Sequence, residues 1–294
     1  MLRWRLLLGT IFIAALIGLC WLDHTYAPGI VLLPLALLLS LAAGHELLWL
    51  VNARKLQPLP WVVHLGNMLI VASNLVPRIW PESWPPDPLG YLGWPLAMFA
   101  LLLLVAFLGE MRRYTAPGEV MERLALAVFA LGYIGVLFSF VCQMRWLGNG
   151  AAGIPAIAVL VIVVKACDIG AYTIGRLFGK HKMAPVLSPG KTMEGAAGGL
   201  ALACLSSWLA FTFLVPFMAP NLPAPRPWGW LLYGLLVGAA GMLGDLAESL
   251  IKRDVGRKDS SDWMPGFGGV LDLLDSILIA SPVAYLCWAF GLVP

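Results

Sequence analysis

Charge is what this chain of 294 residues most lacks: 12% of it is Asp, Glu, Lys or Arg, against about 25% in soluble domains. With 60% of its residues hydrophobic and a mean hydropathy of +0.85, a water-soluble fold could not bury its apolar surface. The solvent for most of the chain is therefore expected to be the lipid bilayer. A formal net charge of +3 is too small to point to nucleic acid, and no such partner is expected. Cysteine motifs are missing too. Cys20, Cys142, Cys167, Cys204 and Cys287 stand singly in apolar stretches, with no Cys-x-x-Cys and no Cys/His cluster. Neither a zinc site nor a disulfide framework is supported. There is no long linker, no soluble domain and no convincing internal repeat. The basic start, Met1 to Arg5, runs into an apolar segment ending at Leu22, but Gly18-Leu19-Cys20-Trp21 offers no cleavage site. That segment is expected to be a retained helix.

What is present is a series of apolar runs, each near the roughly 20 residues a span requires. They lie near Trp4–Leu22, Gly29–Val51, Trp61–Trp80, Leu89–Gly109, Val120–Leu147, Gly153–Phe178, Met193–Met218, Trp228–Glu248 and Gly269–Val293. The expected fold is all-α, a polytopic integral membrane protein of about nine transmembrane helices. Residues 1–150 would form a scaffold of about five, and residues 151–294 would carry about four with the catalytic loops. Trp61–Trp80 is the weakest of the nine, because it holds His64, Asn67, Asn74 and Pro77.

Basic residues orient these spans. With a cytoplasmic N-terminus, 15 of the 19 Lys and Arg residues fall on the cytoplasmic side: Arg3, Arg5, Arg54, Lys55, Arg112, Arg113, Arg123, Arg176, Lys180, Lys182, Lys191, Lys252, Arg253, Arg257 and Lys258. Arg78, Arg145 and Arg226 fall opposite, and Lys165 lies within a span. This asymmetry is what the positive-inside rule expects.

The same topology brings six acids to one depth: Asp168, Glu194, Asp245, Glu248, Asp272 and Asp275. Asp245/Glu248 and Asp272/Asp275 are i,i+3 pairs, each sharing a helix face. Carboxylates at membrane depth are costly unless they meet a partner or a polar cavity. Two solutions fit. The acids could pair with Lys165, Lys191, Lys252 and Arg253, or they could hold a divalent cation, since magnesium takes one or two carboxylates plus substrate phosphates. Basic loops containing Arg176, Lys180, His181, Lys182 and Lys191, then Lys252, Arg253, Arg257 and Lys258, flank the acids and suit an anionic phosphate compound.

Three stretches narrow the choice. They are Asp168-Ile-Gly-Ala-Tyr-Thr-Ile-Gly-Arg-Leu-Phe-Gly-Lys180, Ser188-Pro-Gly-Lys-Thr-Met-Glu-Gly195, and Gly244-Asp-Leu-Ala-Glu-Ser-Leu-Ile-Lys-Arg-Asp254 with the segment that follows to Asp275. Gly190-Lys191-Thr192 is not a P-loop, because Pro185 stands where Walker A needs its first glycine. Together the stretches resemble the phosphatidate cytidylyltransferase family. Ser249, Lys252, Arg253, Lys258, Asp259, Gly268, Gly269, Asp272 and Asp275 match its signature in register. The match runs from about Lys165 to Ser276, with Phe267 where the family usually has His and Leu273 where it usually has Arg.

The resemblance implies transfer of CMP from CTP to phosphatidate, giving CDP-diacylglycerol and pyrophosphate, with Mg2+ as cofactor. By that resemblance Asp245 and Asp272 are the first metal ligands, with Asp168 and Glu248 beside them and Asp275 in the catalytic set. Lys191, Lys252 and Arg253 would act on the phosphates, while Arg176, Ser188, Thr192, Lys258, Gly268 and Gly269 would bind substrate. The two glycines would bring helix-start N–H groups to an anion, and Asp259 would be a structural acid. The expected location is a bacterial-type plasma membrane, with the N-terminus and active-site loops cytoplasmic, and a homodimer is compatible with the pattern. The alternatives are a CTP-dependent transferase or kinase acting on another lipid such as a polyprenol, a non-catalytic paralogue, and a transporter.

Overall fold

Backbone N–H and C=O groups in lipid find no water, so each apolar run must close its own hydrogen bonds, as a helix does. The computed structural model describes residues 2–26, 29–53, 57–80, 90–258, 260–261 and 268–294, side chains of residues 2–13, 90 and 149 excepted. Its helices are α1 Leu2–Thr25, α2 Leu32–Asn52, α3 Pro60–Ile79, α4 Gly93–Arg113, α5 Val120–Met144, α6 Gly153–Phe178, α7 Met193–Met218, α8 Gly229–Asp254 and α9 Val270–Ala289. Among the described residues, the eight from α2 to α9 are long and apolar enough to cross a membrane. At 24 residues, α1 has the length as well. The chain is thus an all-α integral membrane protein, with each expected span matched by a helix to within a few residues.

Two compact units divide it: residues 1–142 with 259–273, and residues 143–258 with 274–294. In the first unit, α3, α4 and α5 bury Val62, Ile70, Leu102, Ala106 and Leu131 against one another. Of the polar residues that weakened α3 on paper, Asn74 is satisfied inside it, whereas Asn67 Nδ2 and Oδ1 and His64 Nδ1 are buried with no hydrogen-bond partner among the described residues. Ser73 Oγ donates to Ile70 O at 2.6 Å, and Asn74 Nδ2 donates to Ile70 O, Val71 O and Ser139 Oγ of α5 at 3.0–3.1 Å. A 3-10 turn at Ser73–Leu75 tightens the helix ahead of Pro77, which has no N–H to donate.

In the second unit, glycines decide the packing. Between membrane helices there is no hydrophobic drive, so close backbone approach has to hold them together. A Cβ at Gly170 of α6 would lie 2.8 Å from Gly198 O, and one at Gly195 of α7 would lie 2.7 Å from Ala171 O. Gly234 of α8 meets the Cys204 backbone of α7 in the same way. Gly244 faces Asp275 O of α9, 2.5 Å from where its Cβ would be.

The loop between α6 and α7 forms a β-hairpin. Strands β1 Lys182–Ala184 and β2 Ser188–Thr192 pair antiparallel, Lys182 opposite Thr192 and Ala184 opposite Ser188. Pro189 is tolerated because β2 is an edge strand.

Candidate active site

The hairpin delivers Lys191 to the acids of the second unit. Thr192 ends β2 and caps α7, its Oγ1 accepting from Gly195 N at 3.1 Å, a contact worth about 1 kcal/mol. Thr192 is 5% exposed, so its hydroxyl serves the helix start rather than the phosphate first assigned to it. Glu194, in the first turn of α7, closes the hairpin from the other side. Its carboxylate accepts from Lys180 N, His181 N and His181 Nδ1, the last at 2.5 Å. Glu194 is therefore bound up in the loop's architecture and not in the acid cluster the topology suggested.

With this anchor, Lys191 Nζ reaches Asp245 Oδ2 of α8 at 2.7 Å. Lys165 Nζ reaches Asp168 Oδ2 on α6 at 3.2 Å. Asp245 also lies within electrostatic reach of Asp168 and Asp275, so three helices bring three aspartates and two lysines together. Asp275 is 4% exposed; its Oδ1 accepts from Ser276 N and Oγ, and it contacts Glu248. Glu248 in turn pairs with Lys252 Nζ at 2.8 Å, one helical turn away, and both are buried.

The lysine pairings foreseen from the sequence are thus present at Asp168, Asp245 and Glu248. Arg253 behaves differently: Nε donates to Leu187 O and NH1 to Arg257 O, tying the hairpin to the end of α8. Arg176 NH1 donates to Tyr172 Oη on the exposed end of α6. Ser188 lies half-buried on β2, and Lys258 is exposed.

The start of α9 belongs to the first unit. Asp272 Oδ2 accepts from Gly269 N at 2.8 Å, the reach-back of a capping box, and from Ser260 N at 3.2 Å and Ser260 Oγ at 2.5 Å. The next two N–H groups, of Val270 and Leu271, donate to the carboxylate of Glu46 at 2.9 and 2.7 Å. The helix-start donors assigned to a substrate anion are accordingly taken by two carboxylates of the chain itself. Gly268, at φ 79°, and Gly269 make room for them. A Cβ at Gly268 would lie 2.3 Å from Asp272 Oδ2, and one at Gly269 2.2 Å from Glu46 Oε2. Glu46 escaped the sequence reading because it is a single acid in an apolar run, with partners more than 200 residues away. Asp259 and Phe267 lie outside the described residues.

Among the described residues, no three carboxylate, imidazole or thiolate side chains are grouped so as to hold a metal by themselves. The donor set nevertheless suits magnesium, which needs one or two carboxylates and completes its shell with water and phosphate oxygens. The side chains of Asp245 and Asp168 are 40% and 34% exposed, so both can receive such a ligand.

A profile of the cytidylyltransferase family matches residues 3–290. A phosphatidate cytidylyltransferase of Mycobacterium bovis is 30% identical over 252 residues, 84% of this chain and 76% of that protein. One from Staphylococcus aureus (strain COL) is 32% identical over 257 residues, covering 87% of this chain and 88% of its own. Another, from Bacillus subtilis, is 36% identical over 194 residues, 66% of this chain and 67% of that protein. The likeness therefore runs through both units and not through the C-terminal motifs alone, and the chain belongs to the cytidylyltransferase family.

Proposed function

We propose that the chain transfers CMP from CTP to phosphatidate at the membrane surface, giving CDP-diacylglycerol and pyrophosphate. An oxygen of the lipid phosphate attacks the α-phosphorus of CTP, the bond to the β-phosphate oxygen breaks, and pyrophosphate leaves with that electron pair. The second pKa of a phosphate monoester is near 6, so the nucleophile is already anionic at neutral pH. No imidazole is required at position 267 to generate it. Catalysis is then mostly positioning of two polyanions and neutralisation of charge at the transferring group.

The observation that carries this reading is the gathering of Asp168, Asp245 and Asp275 with Lys165 and Lys191, built by three helices and a hairpin. Asp245, with Asp168, would hold magnesium; for Asp272 a metal-binding role is what the resemblance implies. Bound there, the cation would neutralise the triphosphate and withdraw charge from the reacting phosphorus. Lys191 turns from Asp245 to a phosphate oxygen, a small change for an ammonium already at the cluster. Arg176, Arg253 and Lys258 supply positive charge at exposed helix ends. Lys252, buried against Glu248, holds the end of α8 and not the triphosphate. Gly268 and Gly269 build the start of α9. By the positive-inside rule, the basic loops support a site on the cytoplasmic face of a bacterial-type plasma membrane.

The test is incubation of the purified protein in detergent with labelled CTP, phosphatidate and magnesium. Labelled CDP-diacylglycerol with release of pyrophosphate is expected. Release of CDP with a phosphorylated lipid would replace this reading with a lipid kinase. Asp272→Asn, folded as wild type, is expected to lose activity at least about a hundredfold, as removal of a charge-stabilising group does. Turnover like the wild type would remove Asp272 from the metal site.

A further inference from the structure

A glutamate in the middle of an apolar helix is costly unless donors surround it. Glu46 of α2 is 5% exposed and has three: Val270 N on Oε1 at 2.9 Å, Leu271 N on Oε2 at 2.7 Å and Ser260 Oγ on Oε2 at 3.3 Å. Two of these are the first N–H groups of α9, where the helix dipole also favours a negative charge. The third partner is shared. Ser260 Oγ lies 2.5 Å from Asp272 Oδ2 as well, and a hydroxyl has one hydrogen to donate. Glu46 and Asp272 therefore share a single hydroxyl hydrogen, and how firmly Ser260 holds one depends on how it is held by the other. On the side of the α9 start there is no room to spare, since a Cβ on Gly269 would strike both Glu46 Oε2, at 2.2 Å, and Ser260 Oγ, at 2.3 Å.

We propose that Glu46 is a positioning residue for Asp272, fixing the first turn of α9 and, through Ser260, the orientation of the Asp272 carboxylate. This rests on the metal-binding assignment of Asp272 made above. Glu46 touches neither substrate nor metal in this scheme. It acts through the backbone of Val270 and Leu271 and through the Ser260 hydroxyl. A purely structural cap would change only how much protein folds; a positioning residue changes how the folded protein uses magnesium.

Glu46→Gln keeps the side chain's length but turns one oxygen into an amide donor, which faces the N–H of Val270 or Leu271. The full-length variant is purified in detergent, its melting checked, and its activity measured against magnesium and against phosphatidate separately. The magnesium concentration at half-maximal rate is expected to rise about tenfold, as loss of one hydrogen bond to a charged group gives, with half-saturation by phosphatidate unchanged. Magnesium dependence and kcat like the wild type would overturn the proposal. Should Glu46→Gln not be recovered folded, Ser260→Ala breaks the bridge between the two carboxylates and carries the same expectation; an unchanged magnesium dependence there overturns it equally. Asp272→Asn is measured alongside. Activity retained in that variant overturns the assignment of Asp272 and this inference with it. An inactive Asp272→Asn beside a Glu46→Gln that behaves as wild type overturns this inference alone.

Discussion

Two lysines four ångströms or less from carboxylates in the same unit have different fates when removed, and burial decides which. The Lys191 and Asp245 side chains are 22% and 40% exposed. An ion pair so close to solvent contributes about 0–1 kcal/mol, so exchanging Asp245 for a substrate phosphate costs little. Lys252 and Glu248 are 11% and 1% exposed. Removing one partner of such a pair leaves a buried charge alone and costs about 3–5 kcal/mol. Lys191→Met is thus expected to melt like the wild type while losing CTP affinity by tenfold or more, on the order of one charge-assisted hydrogen bond. Lys252→Met is expected to melt well below it, with lost activity following lost fold. Thermal melts in detergent and CTP titrations of the two variants check both. Equal melting temperatures would mean that Lys252 is as open to exchange as Lys191.

At the scale of helices and strands, the site depends on how closely α8 can approach its neighbours. Gly244 precedes Asp245, and its Cβ position lies 2.5 Å from Asp275 O and 2.8 Å from Ser276 Cα. Those are backbone atoms, which cannot swing aside as a flexible side chain would. Gly244→Ala must part α8 from α9 beside two of the clustered aspartates. Overpacking of this kind costs about 1–3 kcal/mol; a lower melting temperature and a reduced kcat are expected together, and a variant with both unchanged would show that the seam has slack. Such seams were only partly readable in advance. The helices were legible because a run of twenty apolar residues is a local signal, and so were the i,i+3 acid pairs, which need only helical geometry. The hairpin was not: three and five residues interrupted by Pro189 and Gly190 carry no strand periodicity. Nor was Thr192, which the resemblance set beside Lys191 as a substrate contact and whose bond to Gly195 N shows only once the start of α7 is seen. Glu46 was illegible for a different reason. Nothing near it in the chain explains it, and its meaning comes from the first turn of α9.

For the molecule as a whole, an orientation is expected from where the basic residues fall. Arg112 and Arg113 end α4 and Arg123 opens α5. Glu110 gathers two of these cations, Arg123 NH2 at 2.9 Å and Arg113 NH1 at 3.8 Å, so that turn presents one basic end. The hairpin and the end of α8 supply the next such clusters. Against them the segment from α7 to α8 holds a single cation, Arg226. If Lys and Arg are retained in the cytoplasm, the hairpin is expected inside, where a soluble nucleotide and a membrane lipid could meet, and Arg226 outside. Lys180 and Arg226 are both exposed, so each can report its side. In a background with the five free cysteines replaced by alanine, Arg226→Cys in intact cells is expected to react with a membrane-impermeant maleimide. Lys180→Cys should react only after permeabilisation. The opposite pattern would place the aspartate cluster away from cytoplasmic CTP, and no arrangement of its residues could then support the proposed reaction.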